Sequence, residues 1–273
     1  MMKPYPAETI LIEGPDAIAF AQAQFSSNLA ALANGRWQFS AWLDPQGRVK
    51  AFFHLARLAD DRLLLLLRGG RAADVAQLLG RFVLRSKVTL SAVAPRSLST
   101  GPALPLHEAL QGDQGDLLLG CDTHSLRIGG DGSGDSIWRL AQLQTGWPWL
   151  PHAMLSEWLA PTLALQRLQA VAIDKGCYPG QEIVARLHYR GGNKKHLHRI
   201  ELSAPESLAP SMPGDALRMR ANEKIWLLDV IRNDSTAEAL AVMSDDLAAA
   251  SIDAILECAD DRTRVRIIET WRS

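Results

Sequence analysis

The chain has 273 residues, of which 47% are hydrophobic and 22% charged, and its formal net charge is -1. These values are typical of folded globular proteins, and they exclude a largely disordered, collagen-like or low-complexity chain. Because the net charge is close to zero, wholesale electrostatic binding to nucleic acid or to anionic membranes is not expected, and any anion site must be local.

The sequence pattern predicts neither a membrane-spanning helix nor a secretion signal. Its longest aliphatic run, residues 63–67, lies between Arg62 and Arg68, whereas a membrane-spanning helix needs roughly 20 apolar residues. The N-terminal residues lack the apolar stretch of a signal peptide, so we expect a cytoplasmic protein without membrane contact. The three cysteines include no C-x-x-C pair, which argues against a disulfide framework and against a metal or iron–sulfur site within this chain.

Periodicity predicts strands mixed with helices in the first part of the chain. Residues 9–12 have the composition of a strand, and Pro15 then starts an amphipathic helix. Residues 37–43 and 48–56 flank a strong turn signal, D-P-Q-G at residues 44–47, and are predicted to form a hairpin. Further strands are predicted at 62–68, 88–93, 117–120, 125–128 and 137–143, and helices at 72–82 and, in two short pieces interrupted at Pro161, at 151–172.

The pattern changes after Arg199, where short alternating segments at 200–202, 225–230, 239–242 and 264–268 favour a small β-barrel or sandwich. Since the earlier hairpins and helices do not alternate one for one, we predict an α+β fold rather than a doubly wound parallel sheet. The predicted domains are residues 1–200, divisible into 1–95 and 96–200, and a β-barrel at 201–273. The Pro-, Gly- and Ser-rich stretch 97–116, at the start of the second subdomain, is predicted to join the two subdomains.

Residues 174–200, DKGCYPGQEIVARLHYRGGNKKHLHRI, are the most unusual part of the sequence. From residue 183 onward this stretch, here called the cationic segment (residues 183–200), contains five fixed positive charges and no acid. A solvated face is the usual explanation for such a cluster. However, the Gly191-Gly192-Asn193 turn exposes backbone amides beside the cations, which suits an anion, and we favour an anion site. The cations are Arg186, Arg190, Lys194, Lys195 and Arg199.

Cys177 and Glu182 each allow two interpretations. The nearby Lys175 favours a reactive thiolate at Cys177, but a free cysteine is equally often a small buried apolar residue. Glu182 could pair with Arg186 one helical turn later. Alternatively, its carboxylate could accept two parallel hydrogen bonds from a heterocycle such as the amino-oxo edge of a pterin, with Gln181 beside it as donor and acceptor.

Metal binding is not expected at His188, His196 and His198. Their positively charged neighbours oppose a cation, and His196 and His198 share one face of a predicted strand, where a structural role is more natural. The sequence also contains no catalytic-triad arrangement, P-loop or dinucleotide-binding G-x-G-x-x-G motif.

The octapeptide K-G-C-Y-P-G-Q-E at residues 175–182 resembles the signature of the YgfZ-type folate-binding proteins, which are relatives of the glycine cleavage T-protein. Two weaker similarities support it: residues 14–32 resemble the family's early helix with its Q-x-S/T-N segment at 24–28, and L-D-P-Q-G-R-V at 43–49 resembles its hairpin segment. The resemblance covers roughly the first two hundred residues.

The resemblance implies an α+β body that binds tetrahydrofolate, or a one-carbon derivative of it, in a central cavity and is followed by a small β-barrel. It also implies that Lys175, Cys177, Gln181 and Glu182 face the cavity, with the later cations meeting the glutamate tail. The expected catalytic residues are Cys177 and Lys175. The expected cofactor-binding residues are Gly176, Tyr178, Gly180, Gln181, Glu182, Arg186, Arg190, Lys194 and Lys195.

One departure from the wider superfamily bears on activity. In the aminomethyltransferases a pair of acids follows the glycine of the central hairpin and supplies the catalytic carboxylate, whereas Lys50 and Ala51 occupy those positions here. The glycine cleavage reaction is therefore expected to be lost, although kinship of fold alone would suggest it.

Three hypotheses remain. The preferred one is a folate-binding protein that supports assembly or repair of iron–sulfur clusters in client enzymes, including those that modify tRNA, and that binds folate without turnover. The second is a folate-dependent one-carbon transferase. The third is a tRNA-binding module that uses the cationic segment, near which Tyr178 and Tyr189 are the candidate aromatic platforms.

Overall fold

Antiparallel sheets account for most of the regular structure of this protein. The computed structural model describes residues 5–112, 115–129, 135, 137–203, 212–220, 223–232, 236–250, 255–260 and 262–272. The first sheet contains β1 (Tyr5–Glu13), β2 (Arg36–Leu43), β3 (Val49–Ala59), β4 (Arg62–Leu67), β5 (Thr89–Gly101), β6 (Ala109–Gln111), β7 (Leu117–Gly120) and β8 (Ser125–Ile128). Its strand order is β2-β3-β4-β1-β5-β8-β7-β6.

The second sheet lies in the C-terminal part of the chain. It contains β9 (Lys195–Ser203), β10 (Ala216–Arg218), β11 (Lys224–Arg232), β12 (Ala237–Ser244), β13 (Leu256–Glu257) and β14 (Arg264–Trp271), in the order β10-β11-β12-β9-β14-β13. The helices are α1 (Ala17–Gln24), α2 (Ala72–Gly80), α3 (Ile137–Gln144), α4 (Gln181–Arg190) and α5 (Asp245–Ala249). Within the described ranges no helix is long and apolar enough to cross a membrane.

The first sheet curls until its two edge strands meet. The backbone N–H of Trp37 in β2 donates to the carbonyl of His107 at 2.8 Å, and the N–H of Ala109 in β6 donates to the carbonyl of Gly35 at 2.8 Å. Arg36 and Glu108 between them form an antiparallel bridge. Joining the edges in this way removes unpaired backbone groups that an open edge would expose.

The two faces of the first sheet are buried in different cores. In β4, Leu64 and Leu66 belong to the core inside the curled sheet, whereas Leu63, Leu65 and Leu67 belong to the core that α1 and α2 cover. Successive strand residues point to opposite faces. The uninterrupted leucine run of β4 is therefore explained by burial on both sides.

Arg68, which follows β4, is a fully buried cation that ties this strand to the segment before residue 150. Its guanidinium donates to the carbonyls of Pro148 at 2.9 Å and Trp147 at 2.6 Å, and to Oε1 of Gln142 at 2.8 Å. It also lies 4.5 Å from the ring centroid of Trp149. Burial lowers the pKa of Arg68 to about 9, and the carbonyls and the ring face compensate for much of the lost hydration.

The second sheet also curls and packs on the first. Met219 and Cys258, next to its two edge strands, form an antiparallel bridge. One face of this sheet contributes Leu228, Leu240 and Trp271 to the core inside the first sheet. This architecture of antiparallel strands with few helices agrees with the predicted α+β class. The central strand β9 runs across residue 200, so the boundary at that residue stays a prediction.

The strand predicted at residues 137–143 is wrong, because this segment forms helix α3. Its buried residues Trp138, Gln142 and Leu143 are spaced to lie on one face of a helix. The side chain of Asp135 accepts a hydrogen bond from the backbone N–H of Ile137 at 3.2 Å, which satisfies a free donor at the helix start. Leu, Ala and Gln are also good helix formers, and they outweigh the single β-branched residue.

The two helices predicted at residues 151–172 are also absent from this fully described stretch. It contains one 3₁₀ turn, His152–Met154, followed by consecutive turns. Ser156, Ala164 and Gln169 have positive φ angles of 64°, 52° and 53°, which lie outside the right-handed helical region. The connection predicted at 97–116, by contrast, contains regular structure, since β5 extends to residue 101 and β6 follows.

Candidate functional site

The hairpin turn between β2 and β3 packs directly on the start of α4. Gly180 has a φ of +81°, and a Cβ placed on it would lie 2.5 Å from the carbonyl oxygen of Asp44 and 3.0 Å from Cα of Gly47. A Cβ on Gly47 would lie 3.1 Å from the side chain of Ile183. Only glycine combines this left-handed backbone with so close an approach. The hairpin and the K-G-C-Y-P-G-Q-E octapeptide are therefore neighbours in space.

Residues 24–28 lie against the chain that leads to the octapeptide. The hydroxyl of Ser26 donates to the carbonyls of Ala170 at 2.7 Å and Ala41 at 3.0 Å, and the backbone N–H of Ala172 donates to the carbonyl of Ser26 at 2.8 Å. Ser26 thus joins β2, the end of α1 and the run of turns before Lys175. The three sequence segments that carry the family resemblance are brought together by these contacts.

Lys175 points into the protein at this junction. Its side-chain ammonium donates to the backbone carbonyls of Gln22 at 2.7 Å, Phe25 at 2.5 Å and Ser27 at 2.9 Å. We call these three oxygens the carbonyl cage. Burial lowers the pKa of Lys175 to about 8, so the ammonium is mainly charged at neutral pH.

Cys177 lies on the surface at the centre of the Cys177 loop, which we define as residues 172–180. Its side chain is exposed and forms no hydrogen bond within the described chain. Two side chains that follow Cys177 bond to carbonyls that precede it: the hydroxyl of Tyr178 donates to the carbonyl of Ala172 at 2.9 Å, and Nε2 of Gln181 donates to the carbonyl of Lys175 at 3.0 Å. The thiol is thus presented to solvent by a fastened loop.

The other two cysteines have a different environment. Cys121 and Cys258 are buried, and burial raises the pKa of Cys121 to about 12 and that of Cys258 to about 11. Both therefore stay protonated at neutral pH and are poor nucleophiles.

Glu182 lies in the first turn of α4 with an exposed carboxylate. No acid–base contact within 4.0 Å joins Glu182 to Arg186 or to another cation in the described ranges, so the pairing considered from the sequence is not formed. The carboxylate is favourably placed at the positive end of the helix dipole. It remains available for a ligand with paired N–H donors.

The predicted cations follow Glu182 along and beyond α4. Arg186 and Arg190 are exposed on the helix, and Lys194 and Lys195 are exposed where β9 begins. The ammonium of Lys195 lies 5.6 Å from the ring centroid of Trp158. These four cations are therefore open to solvent on and just after the helix that carries Glu182, whereas Arg199 forms an ion pair with Glu238 at 2.7 Å. Gly176, also in the Cys177 loop, is exposed as well.

The histidines of the segment separate into an exposed and a buried group. His188 is exposed, whereas His196 lies 2.7 Å from Asp245 and His198 lies 2.9 Å from the hydroxyl of Thr270. Burial lowers the pKa of His198 to about 4. Across the part of the chain that the structure describes, no three His, Cys, Asp or Glu side chains are grouped as metal ligands.

Lys50 occupies the hairpin position at which the resemblance expects an acid. Its ammonium lies 3.7 Å from the ring centroid of Trp42. Burial lowers the pKa of Lys50, while Asp44 acts in the opposite direction. A cation held on an aromatic face cannot supply the proton-accepting carboxylate of an aminomethyltransferase.

Two buried amide side chains without hydrogen-bond partners were not singled out from the sequence. Oε1 of Gln24 is buried without a hydrogen-bond partner, and both Oε1 and Nε2 of Gln166 are in the same state. Buried polar atoms usually have partners, so unpaired ones suggest a missing water or ligand. No sequence signal distinguishes these residues from other glutamines, because their lack of partners arises only from the tertiary fold.

A separate cavity of about 330 Å³ opens at the other end of the first sheet. Residues from β1, β3, β4, β5, β6 and β7 line it, among them Leu11, Leu58, Leu64, Arg96 and Leu117. Strand β3 runs from the hairpin to Leu58, which at about 3.3 Å per residue places this cavity roughly 30 Å from the hairpin turn. None of the site residues predicted from the sequence lines it.

The fold is that of a glycine cleavage T-protein. The crystal structure of glycine cleavage system aminomethyltransferase T from Bartonella henselae matches 97% of this chain and 82% of that chain, with a TM-score of 0.66 and 14% identity. Among curated proteins, "tRNA-modifying protein YgfZ" of Yersinia pseudotuberculosis is 27% identical over 92% of this chain and 86% of its own length.

Further relatives agree with this assignment. The protein of the same description from Pectobacterium carotovorum is 24% identical over 85% of this chain and 84% of its length. An uncharacterized protein of Haemophilus influenzae is 29% identical over 85% of this chain and 88% of its length. No family model matches the chain. Over most of its length the chain is similar to YgfZ proteins, and it shares the fold of the glycine cleavage T-protein.

Proposed function

We propose that this protein binds tetrahydrofolate, or a one-carbon derivative of it, and supports assembly or repair of iron–sulfur clusters in client enzymes, including tRNA-modifying ones. The observation that carries the proposal is the convergence of three segments. The hairpin turn at residues 44–47 contacts Gly180, and residues 22–27 hold Lys175. Between these contacts the Cys177 thiol is exposed.

The residues present fit a folate at the level of their chemistry. The exposed carboxylate of Glu182 can accept two hydrogen bonds from the amino-oxo edge of a pterin, and the unpaired Oε1 of Gln24 is a further acceptor. Arg186 and Arg190 on the same helix are exposed cations that suit the carboxylates of the glutamate tail. When bound, tetrahydrofolate would supply one-carbon or reducing chemistry.

The hairpin residue Lys50 favours folate binding without turnover. Lys50 replaces the acid expected there, and its ammonium is held over Trp42. Cys177 provides the exposed sulfur donor for work on iron–sulfur clients, and a thiolate is the form that bonds to metals. The description of the YgfZ relatives as "tRNA-modifying protein" supports clients among tRNA-modifying enzymes.

Calorimetric titration of purified protein with tetrahydrofolate tests the folate part. Glu182→Ala should weaken binding at least about tenfold, equivalent to about 1.4 kcal/mol, because it removes the paired acceptor. Glu269→Ala is the matched control, since Glu269 is exposed on β14 of the second sheet. Absence of binding, or equal affinity for the two variants, contradicts the proposal.

Complementation tests the client part. In cells that lack the protein, Cys177→Ala should fail to restore the activity of an iron–sulfur tRNA-modifying enzyme, whereas Cys258→Ala should restore it. Full rescue by Cys177→Ala would eliminate the thiol from the proposed role.

A further inference from the structure

The carbonyl cage lies at the C-terminal end of α1 and includes a backbone carbonyl that the helix leaves unpaired. The last carbonyls of a helix have no intrahelical donor, and they carry the negative end of the helix dipole. The carbonyl of Gln22 has no partner within its helix, because the backbone N–H of Ser26 donates instead to the carbonyl of Ala41 at 2.8 Å. The ammonium of Lys175 supplies the missing donor from outside the helix.

The same hydrogen bonds decide between two roles for Lys175. An ammonium has three N–H donors, and three backbone carbonyls accept them at 2.7, 2.5 and 2.9 Å. No donor is left for a thiolate at Cys177. The expectation that Lys175 stabilises the thiolate directly therefore has no hydrogen bond to support it.

We propose that the Lys175 ammonium fastens the Cys177 loop to the C-terminal end of α1 and so acts as a positioning residue for Cys177. Lys175 holds the loop before the cysteine, while Tyr178 and Gln181 hold it afterwards through the carbonyls of Ala172 and Lys175. Cys177 itself has no anchoring contact in the described structure, so its position depends on these neighbours.

The cage is specific for lysine over arginine. Three oxygens surround a single nitrogen, which matches the compact ammonium group, whereas a guanidinium spreads its donors over a planar fork. Lys175 is only 8% exposed, and the ring centroid of Tyr178 lies 5.0 Å from its nitrogen. A larger planar group would have to displace the loop. Arginine at this position would keep the positive charge and lose the hydrogen bonds to the three cage carbonyls.

The inference rests on the proposed function only for the biological meaning of Cys177, and every test is made on folate-free protein. A failure to bind folate therefore leaves these results intact. The variants are Lys175→Met and Lys175→Arg. Lys224→Met is the control, because the exposed Lys224 also has its ammonium over an aromatic ring, 5.4 Å from the centroid of Trp226, and lies outside the site.

Two measurements on these variants separate the roles. Exchange of the Ala172 amide hydrogen, which donates to the carbonyl of Ser26 at 2.8 Å, should become at least about tenfold faster in both Lys175 variants and stay unchanged in the control, because the loop opens when the cage is lost. The pH profile of Cys177 alkylation by iodoacetamide should have the same midpoint in all four proteins. If Lys175→Met shifts that midpoint and Lys175→Arg restores it, Lys175 is a counter-ion and the positioning role is wrong.

A measurement on the unaltered protein covers the case in which the variants do not fold. At pH 6.5 the side-chain NH₃⁺ of Lys175 should give a slowly exchanging nitrogen resonance, with hydrogen-bond couplings to the carbonyl carbons of Gln22, Phe25 and Ser27. Rapid exchange with water, as for a surface lysine, overturns the proposal.

Discussion

Replacing Gly180 by alanine should separate the hairpin from α4. The new Cβ would lie 2.5 Å from the carbonyl oxygen of Asp44 and 3.0 Å from Cα of Gly47, at a residue whose φ is +81°. A non-glycine residue in a left-handed conformation costs about 1–2 kcal/mol. Overpacking against backbone that cannot rotate away adds about 1–3 kcal/mol. We therefore expect the free energy of unfolding to fall by about 2–5 kcal/mol.

Urea unfolding, followed by tryptophan fluorescence, measures this effect. The matched control is Gly176→Ala, four residues earlier, where a Cβ would have no heavy atom within 4 Å and φ is not positive; we expect a change within about 0.5 kcal/mol. Folded Gly180→Ala protein should also bind tetrahydrofolate more weakly. If both variants lose the same stability, the close contact between hairpin and octapeptide is not as described.

Three further predictions concern buried and exposed groups. Iodoacetamide at pH 8 should label Cys177 in the folded protein, while Cys121 and Cys258 react only in denaturant, as mass spectrometry can show. Because the folded-state pKa of His198 is about 4, below its ordinary value of 6.5, the unfolded chain takes up the proton first. Stability should fall between pH 6.5 and 4, by up to about 3 kcal/mol, and His198→Gln should remove that loss. Arg68→Met leaves the carbonyls of Trp147 and Pro148 without donors and removes one of the two donors to the Gln142 amide oxygen, so it should lower the free energy of unfolding by about 3–5 kcal/mol.

Each of these predictions has a clear contrary result. Equal labelling of all three cysteines in the folded state would show that Cys121 and Cys258 are not sealed in their cores. An unchanged acid transition in His198→Gln would assign the loss of stability to other groups. A stability of Arg68→Met within about 0.5 kcal/mol of the parent would mean that the guanidinium adds little to the fold.

Local signals were sufficient for much of the first sheet. The D-P-Q-G turn at residues 44–47 separates β2 from β3 as predicted, and the leucine run of β4 is correctly a strand. Such predictions succeed because turn residues and period-two patterns act within a few residues. The closure of the sheet through Trp37 and Ala109 had no local signature, since it joins segments about seventy residues apart in sequence.

The failures have physical causes that lie outside the local pattern. The strand prediction for residues 137–143 failed because a short apolar run suits either a strand or a buried helix. As a helix, the segment buries Trp138 against the rings of Tyr5 and Trp149. The turns of 151–172 depend on positive φ angles at Ser156, Ala164 and Gln169, none of which is glycine. Leucine spacing could not reveal them.

At the site, the octapeptide located the Cys177 loop and helix α4, but not the direction of each side chain. Lys175 was expected to act on Cys177, and its ammonium instead contacts carbonyls at the end of α1, about 150 residues earlier in the chain. Those acceptors are backbone carbonyls, which every residue has, so the amino-acid sequence does not identify them. Residue identity therefore pointed to a segment, and only the tertiary structure showed which atoms the Lys175 ammonium contacts.

Protection of Cys177 from alkylation by bound tetrahydrofolate tests the central claim, that the folate binds next to the exposed thiol. At a tetrahydrofolate concentration about ten times Kd, mass action leaves about one-tenth of the protein free, so alkylation of Cys177 by iodoacetamide should slow about tenfold. Glu182→Ala at the same concentration should show little protection, and Glu269→Ala should match the parent. Saturating tetrahydrofolate that leaves the alkylation rate of the parent protein unchanged would contradict the account.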